Sequence, residues 1–241
     1  MKFYRRWQGV KALCFDLDDT LYDNHPVIKR AEQQLKTWLN HRLPATGNFN
    51  AADWQRFAED TIRQNPWLQN HVTEKRRAVL TKVALHCGLS NSVAQHLAED
   101  ALEFFLAERS NFQVPAKAIK LLAALAKYYP LVAITNGNVD CDKLGLAPYF
   151  SLVLKAGFDG AAKPELDMFS QAQAYLNLPS SHILHIGDSL ITDVAGAKRA
   201  GFQACWYNDQ NKTIYSLHQA SLLPDVEIND IEQLRRLLCF T

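Results

Sequence analysis

Two patterns of apolar residues alternate along the chain. Short, nearly continuous apolar runs rich in branched side chains occur at residues 10–15, 131–135, 152–155, 183–186, 203–207 and 225–228, and they read as strands buried on both faces. Residues 116–128, 165–176 and 191–200 instead repeat their apolar positions every three or four residues, as amphipathic helices do. Pro115 suits a first helical turn, Pro164 precedes the second of these helices, and Gly201 ends the third. From residue 131 onward strand and helix alternate, which predicts a parallel sheet in a doubly wound α/β fold. The first strand stands apart. Residues 22–113, which follow it, hold no convincing strand and read as helices at 26–41, 51–64, 72–86 and 92–107, broken around Pro44 and Gly47, Pro66 and Gly88. Helices with such short links predict a small bundle. The chain enters and leaves it beside the first strand, so the bundle is expected as a helical cap at 22–113, inserted between core segments 1–21 and 114–241.

Length agrees with this plan: 241 residues are about one and a half domains at roughly 150 residues each, which suits one domain with a large insertion. Hydrophobic residues at 48% and charged residues at 21% are an ordinary globular mix and argue against disorder. Lys plus Arg (26) nearly balance Asp plus Glu (25), so no overall field marks a nucleic-acid or membrane-surface partner. No apolar run approaches the ~18 residues of a membrane span. The first apolar stretch after the basic N-terminus ends at Asp16, too early for a signal-peptide core. Cys14, Cys87, Cys141, Cys205 and Cys239 are scattered without a CxxC pair, so free thiols in a reducing, cytoplasmic setting are expected. Nothing in the pattern specifies an oligomeric state.

Candidate chemistry gathers at the strand ends, where ligands sit in open α/β sheets. Asp16-Leu17-Asp18-Asp19-Thr20-Leu21 follows the first strand. Carboxylates crowded there repel one another and lose water, which favours a bound cation. Asp16 and Asp18 alternate with Leu17, so an extended backbone points both to one side. The next strand ends in Thr135-Asn136-Gly137, a hydroxyl and a turn that can offer donors to phosphate oxygens, though the same residues also make an ordinary turn. Lys163-Pro164 is expected to open a helix, where a cation opposes the helix dipole and requires an anion; a surface lysine is the plain alternative. Gly187-Asp188-Ser189 closes a further strand, with Asp193 shortly after it, and Asp188 also suits a simple N-cap. Acids, a hydroxyl and a cation delivered to one edge of a sheet suit phosphoryl transfer, which rests on positioning and charge neutralisation.

These motifs, in this order, resemble those of the haloacid dehalogenase superfamily of aspartate-nucleophile hydrolases, and the helical insertion matches that family's cap after the first motif. Residues 131–138 (LVAITNGN), 181–188 (SHILHIGD), 192–197 (TDVAGA) and 203–206 (QACW) are similar to its flavin mononucleotide phosphatase branch, which is associated with riboflavin-pathway dephosphorylation. The resemblance implies a Rossmann-like core and a set of roles. Asp16 attacks phosphorus and forms an aspartyl-phosphate. Asp18 protonates the leaving oxygen and then takes a proton from water. Mg²⁺ is held by the Asp16 carboxylate, the Asp18 carbonyl and Asp188. Thr135 and the Asn136 amide cradle the phosphate, Lys163 neutralises Asp16 and the phosphoryl group, and Asp193 orients Lys163 or a metal-bound water. The implied substrate is a small phosphorylated metabolite, flavin mononucleotide or the phosphoribitylaminouracil precursor of riboflavin. A phosphatase or mutase acting on a sugar phosphate or nucleotide is the alternative. Asp18 argues against carbon–halogen cleavage, because that branch needs no acid and lacks this residue. Asp19 reads as a turn former.

Discrimination among phosphates would then fall to the cap. Its flat groups, Trp38, Trp54, Trp67, Tyr22 and His25, can stack on a heteroaromatic ring or form the bundle's own core. Trp67 stands foremost because Pro66 places it in a helix break. Arg76 and Arg77 read as phosphate contacts or as a solvated helix face. A phosphoaspartate receiver domain also carries Asp, Thr and Lys at strand ends, but its nucleophile lies on a middle strand of the sequence. A non-catalytic phosphate-binding module would be expected to have lost a catalytic position, and none is lost here.

Overall fold

The computed structural model describes residues 1–214 and 222–238. They form two compact units. One contains Met1–Asp23, Gln113–Gly137 and the described residues from Gly145 onward; the other contains Asn24–Phe112 and Asn138–Leu144. The segment Asn138–Leu144, which the sequence boundaries assign to the core, joins the helical unit through side chains. Asn138 Nδ2 donates to Thr73 Oγ1 at 3.2 Å, the Asp140 N–H donates to Ser110 Oγ at 2.9 Å, and Val139 is buried.

In chain order the strands are β1 (Lys2–Phe3), β2 (Ala12–Phe15), β3 (Leu131–Thr135), β4 (Leu152–Lys155), β5 (Ile183–Gly187), β6 (Gln203–Tyr207) and β7 (Val226–Ile228). The helices are α1 (His25–Arg42), α2 (Ala51–Gln64), α3 (Val72–His86), α4 (Asn91–Arg109), α5 (Ala116–Leu125), α6 (Asp167–Leu176), α7 (Ala195–Arg199) and α8 (Gln233–Leu237). Among the described residues the strands form one seven-stranded sheet in the order β1-β7-β6-β5-β2-β3-β4. All pairs are parallel except the edge pair β1–β7. β1 was absent from the pattern reading because a two-residue strand has no period to detect.

The topology is an α/β doubly wound parallel sheet. The chain runs outward from β2 through β3 to β4, then returns to β5 on the other side of β2. That reversal opens a crevice beyond the carboxyl ends of β2 and β5. Alternate strand residues serve the two faces. Ala12, Cys14, Val132, Ile134, Ile183, Ala204 and Trp206 pack in one cluster with Met168, Phe169 and Ala172 of α6 and Ala197 of α7. Leu13, Phe15, Leu131 and Ala133 point the other way and are also buried. Burial on both faces is why the strand sequences read as unbroken apolar runs.

In the helical unit, Ala31, Leu35 and Leu39 of α1 meet Leu80 of α3 and Ala98, Leu102 and Phe105 of α4. Phe57 of α2 packs against Val79 and Val83 of α3. Asn50 opens α2 with a capping box: its side chain accepts from the Ala52 and Asp53 N–H groups, and Asp53 accepts from the Asn50 N–H in return. Pro44 and Pro66 open short 3₁₀ turns, Pro44–Asn48 and Pro66–Asn70, where the ring cannot continue a helix from the preceding residue. Trp38 stacks on Phe104 and Trp54 meets Phe49 edge-on, so both serve the bundle. Trp67 is 55% exposed and stacks on His71. Arg76 pairs with Glu32 and lies over the Phe105 ring, and Arg77 pairs with Glu74 and Glu99. Both guanidinium groups thus meet carboxylates of their own unit.

Among the described residues no helix is long and apolar enough to cross a membrane. Cys14, Cys87, Cys141 and Cys205 are free thiols, and Cys239 lies outside the described residues.

Gly196 fixes how closely α7 can approach. A methyl group there would lie 2.6 Å from the Phe169 ring and 3.3 Å from Pro164 Cα. Phe169 is fully buried and has no solvent side to retreat to. Gly196→Ala is therefore expected to cost about 1–3 kcal/mol by overpacking, read as a lower Tm in a thermal melt. An unchanged Tm would show that the ring can yield.

Candidate active site

The site begins where β2 runs out. The Asp16 N–H still donates to the Ile186 carbonyl at 2.9 Å, so the ladder carries Asp16 to the crevice between β2 and β5. The chain then turns sharply. The N–H groups of Thr20 and Leu21 both donate to the Leu17 carbonyl, and Asp19 sits at φ 58°, the left-handed region that aspartate tolerates better than most residues. Thr20 Oγ1 donates back to Asp16 Oδ2 at 3.4 Å. The turn returns Tyr22 alongside Asp18, where its hydroxyl donates to Asp18 Oδ1 at 2.7 Å. Tyr22 is 5% exposed and belongs to the α/β unit. Tyr22 is therefore not one of the cap aromatics, although it adjoins the insertion in sequence.

Lys163 is not at a helix start, as the Lys-Pro pair suggested; α6 begins at Asp167. Nor is it a surface residue, being 3% exposed. Its ammonium donates to Asp16 Oδ1, Asp193 Oδ1 and the Ile134 carbonyl, each at 2.6 Å. An ammonium has three donors, and these contacts use all of them. Its compensating anions are therefore buried carboxylates. The Lys163 backbone is held separately. Asn136 Oδ1 accepts from the Lys163 N–H at 2.7 Å, and Asn136 Nδ2 donates to the Lys163 carbonyl at 3.0 Å. This two-point clamp of the Asn136 side chain was not legible in the sequence, which directed attention to the main-chain amide.

The turn after β3 is compact. Thr135 is fully buried, and its Oγ1 accepts from the Gly137 N–H at 2.9 Å. A Cβ on Gly137 would strike Asp18 Oδ2 and lie 3.3 Å from Thr135 Oγ1. Glycine is needed here so that the Asp18 carboxylate can lie against this turn.

After β5 a π-helical turn, Leu190–Val194, precedes α7, an irregularity common at functional sites. Its N-cap is Ser189, whose side chain accepts from the Thr192 N–H, so Asp188 is not the cap. Asp188 is fixed through its carbonyl, which accepts from Trp206 Nε1 at 2.8 Å. Asp193 is 2% exposed and saturated with donors. Its Oδ1 accepts from Lys163 and from His185 Nε2 at 3.0 Å; its Oδ2 accepts from the Ser189 N–H at 3.1 Å and from Thr192 Oγ1 at 3.5 Å. His185 escaped the sequence reading. The signal was a single histidine in an aliphatic strand, on the face shared with Ile183, where it also meets the Phe169 ring edge-on.

The electrostatics follow from burial. Burial pushes the Asp16 carboxyl well up, against the pull of Lys163, and the neighbouring Asp193 and Asp18 push the same way. Asp188 is pushed up to about 7 by burial and by Asp193 and Asp19. For Asp193 burial is outweighed by Lys163 and the His185 hydrogen bond, which hold its carboxyl below the usual range. Burial alone would lower the Lys163 ammonium, but Asp16 and Asp193 raise it above its ordinary value. His185 is lowered by burial, which keeps the ring neutral, with its proton on Nε2 facing Asp193.

Carboxylate oxygens of Asp16, Asp188 and Asp193 all lie within 4.8 Å of one another. Against three carboxylates the site sets one ammonium, so a bound divalent cation fits the charge left over. Because Asp193 is saturated, Asp16 and Asp188 are the carboxylates best able to hold one.

The chain is similar to known proteins in both sequence and structure. Residues 10–201 match the family model described as haloacid dehalogenase-like hydrolase. The chain is 42% identical to the 5-amino-6-(5-phospho-D-ribitylamino)uracil phosphatase YigB of Escherichia coli K12, over 99% of this chain and 100% of that one. It is 25% identical to the pyrimidine 5'-nucleotidase YjjG of the same organism, over 97% and 99% of the two chains. Among solved structures, a 2-haloacid dehalogenase from Pseudomonas syringae pv. Tomato DC3000 superposes with a TM-score of 0.89 at 36% identity, covering 95% of this chain and 98% of that one.

The Asn136 clamp yields a test. Asn136→Ala leaves the Lys163 main chain without both partners and lets the ammonium drift from Asp16. Activity is expected to fall about tenfold or more, since small misplacements at a reacting group are costly. Wild-type activity in a folded Asn136→Ala would show that the ammonium contacts alone hold Lys163.

Proposed function

The chain belongs to the haloacid dehalogenase-like hydrolases, and from that premise we propose that it is a magnesium-dependent phosphomonoesterase working through an aspartyl-phosphate on Asp16. The observation that carries this reading is Asp18, whose carboxylate lies against the Thr135–Gly137 turn close to the nucleophile. A halide leaves as a stable anion and needs no proton, whereas an alkoxide leaving phosphorus does. An acid at this position favours ester hydrolysis, even beside a structural relative named for carbon–halogen cleavage.

In this reading Asp16 attacks phosphorus while its Oδ1 stays hydrogen-bonded to Lys163. Lys163 has no donor to spare, so it fixes and neutralises Asp16 instead of gripping the phosphate. Asp193, locked by His185 and Ser189, orients Lys163. The Thr135 hydroxyl and the Asn136 amide receive the phosphoryl oxygens. Asp18 gives its proton to the leaving oxygen and recovers one from the water that opens the aspartyl-phosphate. Magnesium, held by the Asp16 and Asp188 carboxylates and the Asp18 carbonyl, would supply positive charge to the phosphoryl oxygens.

The proposed substrate is a small metabolite in which a phosphorylated ribityl chain carries a flat heterocycle. The likeness to YigB supports 5-amino-6-(5-phospho-D-ribitylamino)uracil, and flavin mononucleotide has the same ribityl phosphate.

Three measurements check this. A panel of both ribityl phosphates, pyrimidine nucleotides, sugar phosphates, glycerol phosphate and 2-haloacids, with and without Mg²⁺, should show metal-dependent release of phosphate, fastest from the ribityl phosphates, and no release of halide. Halide release, or faster turnover of another phosphate class, would replace this substrate reading. Asp16→Asn should abolish turnover without loss of fold, because an amide cannot form the acyl phosphate; wild-type-like rates with deamidation excluded would remove Asp16 from its role. Asp188→Ala should raise the Mg²⁺ concentration for half-maximal activity by about tenfold or more, as one hard ligand is lost. An unchanged magnesium titration would exclude Asp188 as a ligand.

A further inference from the structure

We infer that Tyr22 is a positioning residue for proton transfer, and that its hydroxyl assigns the mobile proton of Asp18 to Oδ2. This rests on the acid–base reading of Asp18 given above. Four observations converge. The Tyr22 hydroxyl donates to Asp18 Oδ1 at 2.7 Å. The two residues are also joined by a backbone bridge, so the hydroxyl and the carboxylate are held by one short turn. Tyr22 is 5% exposed, so its ring is held by packing. Asp18 Oδ2 lies against Gly137 and points to the turn that holds Thr135 Oγ1.

A carboxylic acid carries its proton on one oxygen. The carbonyl oxygen of a carboxyl group is its better acceptor, so the oxygen that accepts from a tyrosine hydroxyl is the poorer place for the proton. In its acid form Asp18 therefore presents the proton from Oδ2, the oxygen on the side of the proposed phosphate cradle. In the first half-reaction the Asp16–phosphorus bond forms and the bond from phosphorus to the ester oxygen breaks. The Oδ2–H proton passes to that departing oxygen and leaves Asp18 as a carboxylate. In the second, a water oxygen bonds to phosphorus as the bond from Asp16 to phosphorus breaks; the water proton goes to Oδ2, inorganic phosphate leaves and Asp16 is restored as a carboxylate. Tyr22 exchanges no proton in either step. It keeps Oδ1 occupied and the carboxylate plane fixed, which the efficiency of positioned proton transfer requires.

The test is Tyr22→Phe, which removes the hydroxyl and keeps the ring. It is read as kcat/KM over a series of phosphomonoesters with leaving groups from 4-nitrophenol through phenol to glycerol. A good leaving group departs unprotonated, and a poor one needs the acid. Tyr22→Phe should lose about tenfold on glycerol phosphate, part of the 10²–10⁴-fold that general acid–base catalysis contributes, and less than about twofold on 4-nitrophenyl phosphate. The ratio between substrates does not depend on how much of the variant is folded, so the comparison survives a stability loss. Asp18→Asn, measured beside it, should show the same selectivity more strongly. Equal losses on all substrates, or none, in Tyr22→Phe alongside a selective Asp18→Asn would overturn the role of Tyr22 alone. An Asp18→Asn variant without selectivity would overturn the acid–base reading itself.

Discussion

A single buried ammonium organises the site. Lys163 Nζ reaches the carbonyl of Ile134 in β3, Asp16 at the end of β2 and Asp193 in the turn beyond β5. These are adjacent strands of the sheet, so one cation joins three strand ends at the crevice where the chain reverses direction. Burying a charge is costly unless it is paired and hydrogen-bonded. Here all three donors are satisfied, and the surrounding polar groups exist largely to keep them so. Asn136 holds the lysine backbone, while His185, Ser189 and Thr192 hold Asp193. Removing either carboxylate partner would leave the buried ammonium short of compensating charge.

That arrangement also divides the carboxylates by task. Asp193 has no acceptor capacity left and belongs to the lysine. Asp188 is anchored by its own carbonyl to Trp206, which leaves its carboxylate clear for a cation. The three Lys163 donors go elsewhere, and the Asp18 carboxylate meets the Tyr22 hydroxyl and the Gly137 turn. Acids that look equivalent in a one-dimensional listing thus fall into three environments, and the chemistry follows from the environments. The contrast between the names of the relatives makes the same point. Relatives of this fold are named for phosphate ester and for carbon–halogen chemistry alike, so the fold does not by itself fix the reaction.

In the helical unit the aromatic residues divide in a comparable way. Trp38 and Trp54 are engaged by Phe104 and Phe49, and both candidate arginines are held by glutamates of the same unit. Trp67 keeps an exposed face in the Pro66–Asn70 turn. A bundle of this size needs its large side chains to build a core, which reduces how many remain for recognition.

The sequence by itself determined the alternation of strands and helices, the helical insertion and the strand-end acids, hydroxyl and lysine. Strands buried on both faces must be apolar throughout, and proline and glycine must punctuate them, so these features are written in local composition. β1 and the π-helical turn were not legible, because each is too short to have a period. The partners of the site side chains were decided by tertiary structure alone. His185 and Asp193 are eight residues apart and Asn136 and Lys163 twenty-seven apart, yet both pairs are in hydrogen-bond contact. Tyr22 reads as the first residue of the insertion but folds back onto Asp18 because Asp19 reverses the backbone. A motif states which groups are available, but a hydrogen bond depends on distance and direction to a few tenths of an ångström. Those are set only when separate strand ends are brought together by a packed sheet.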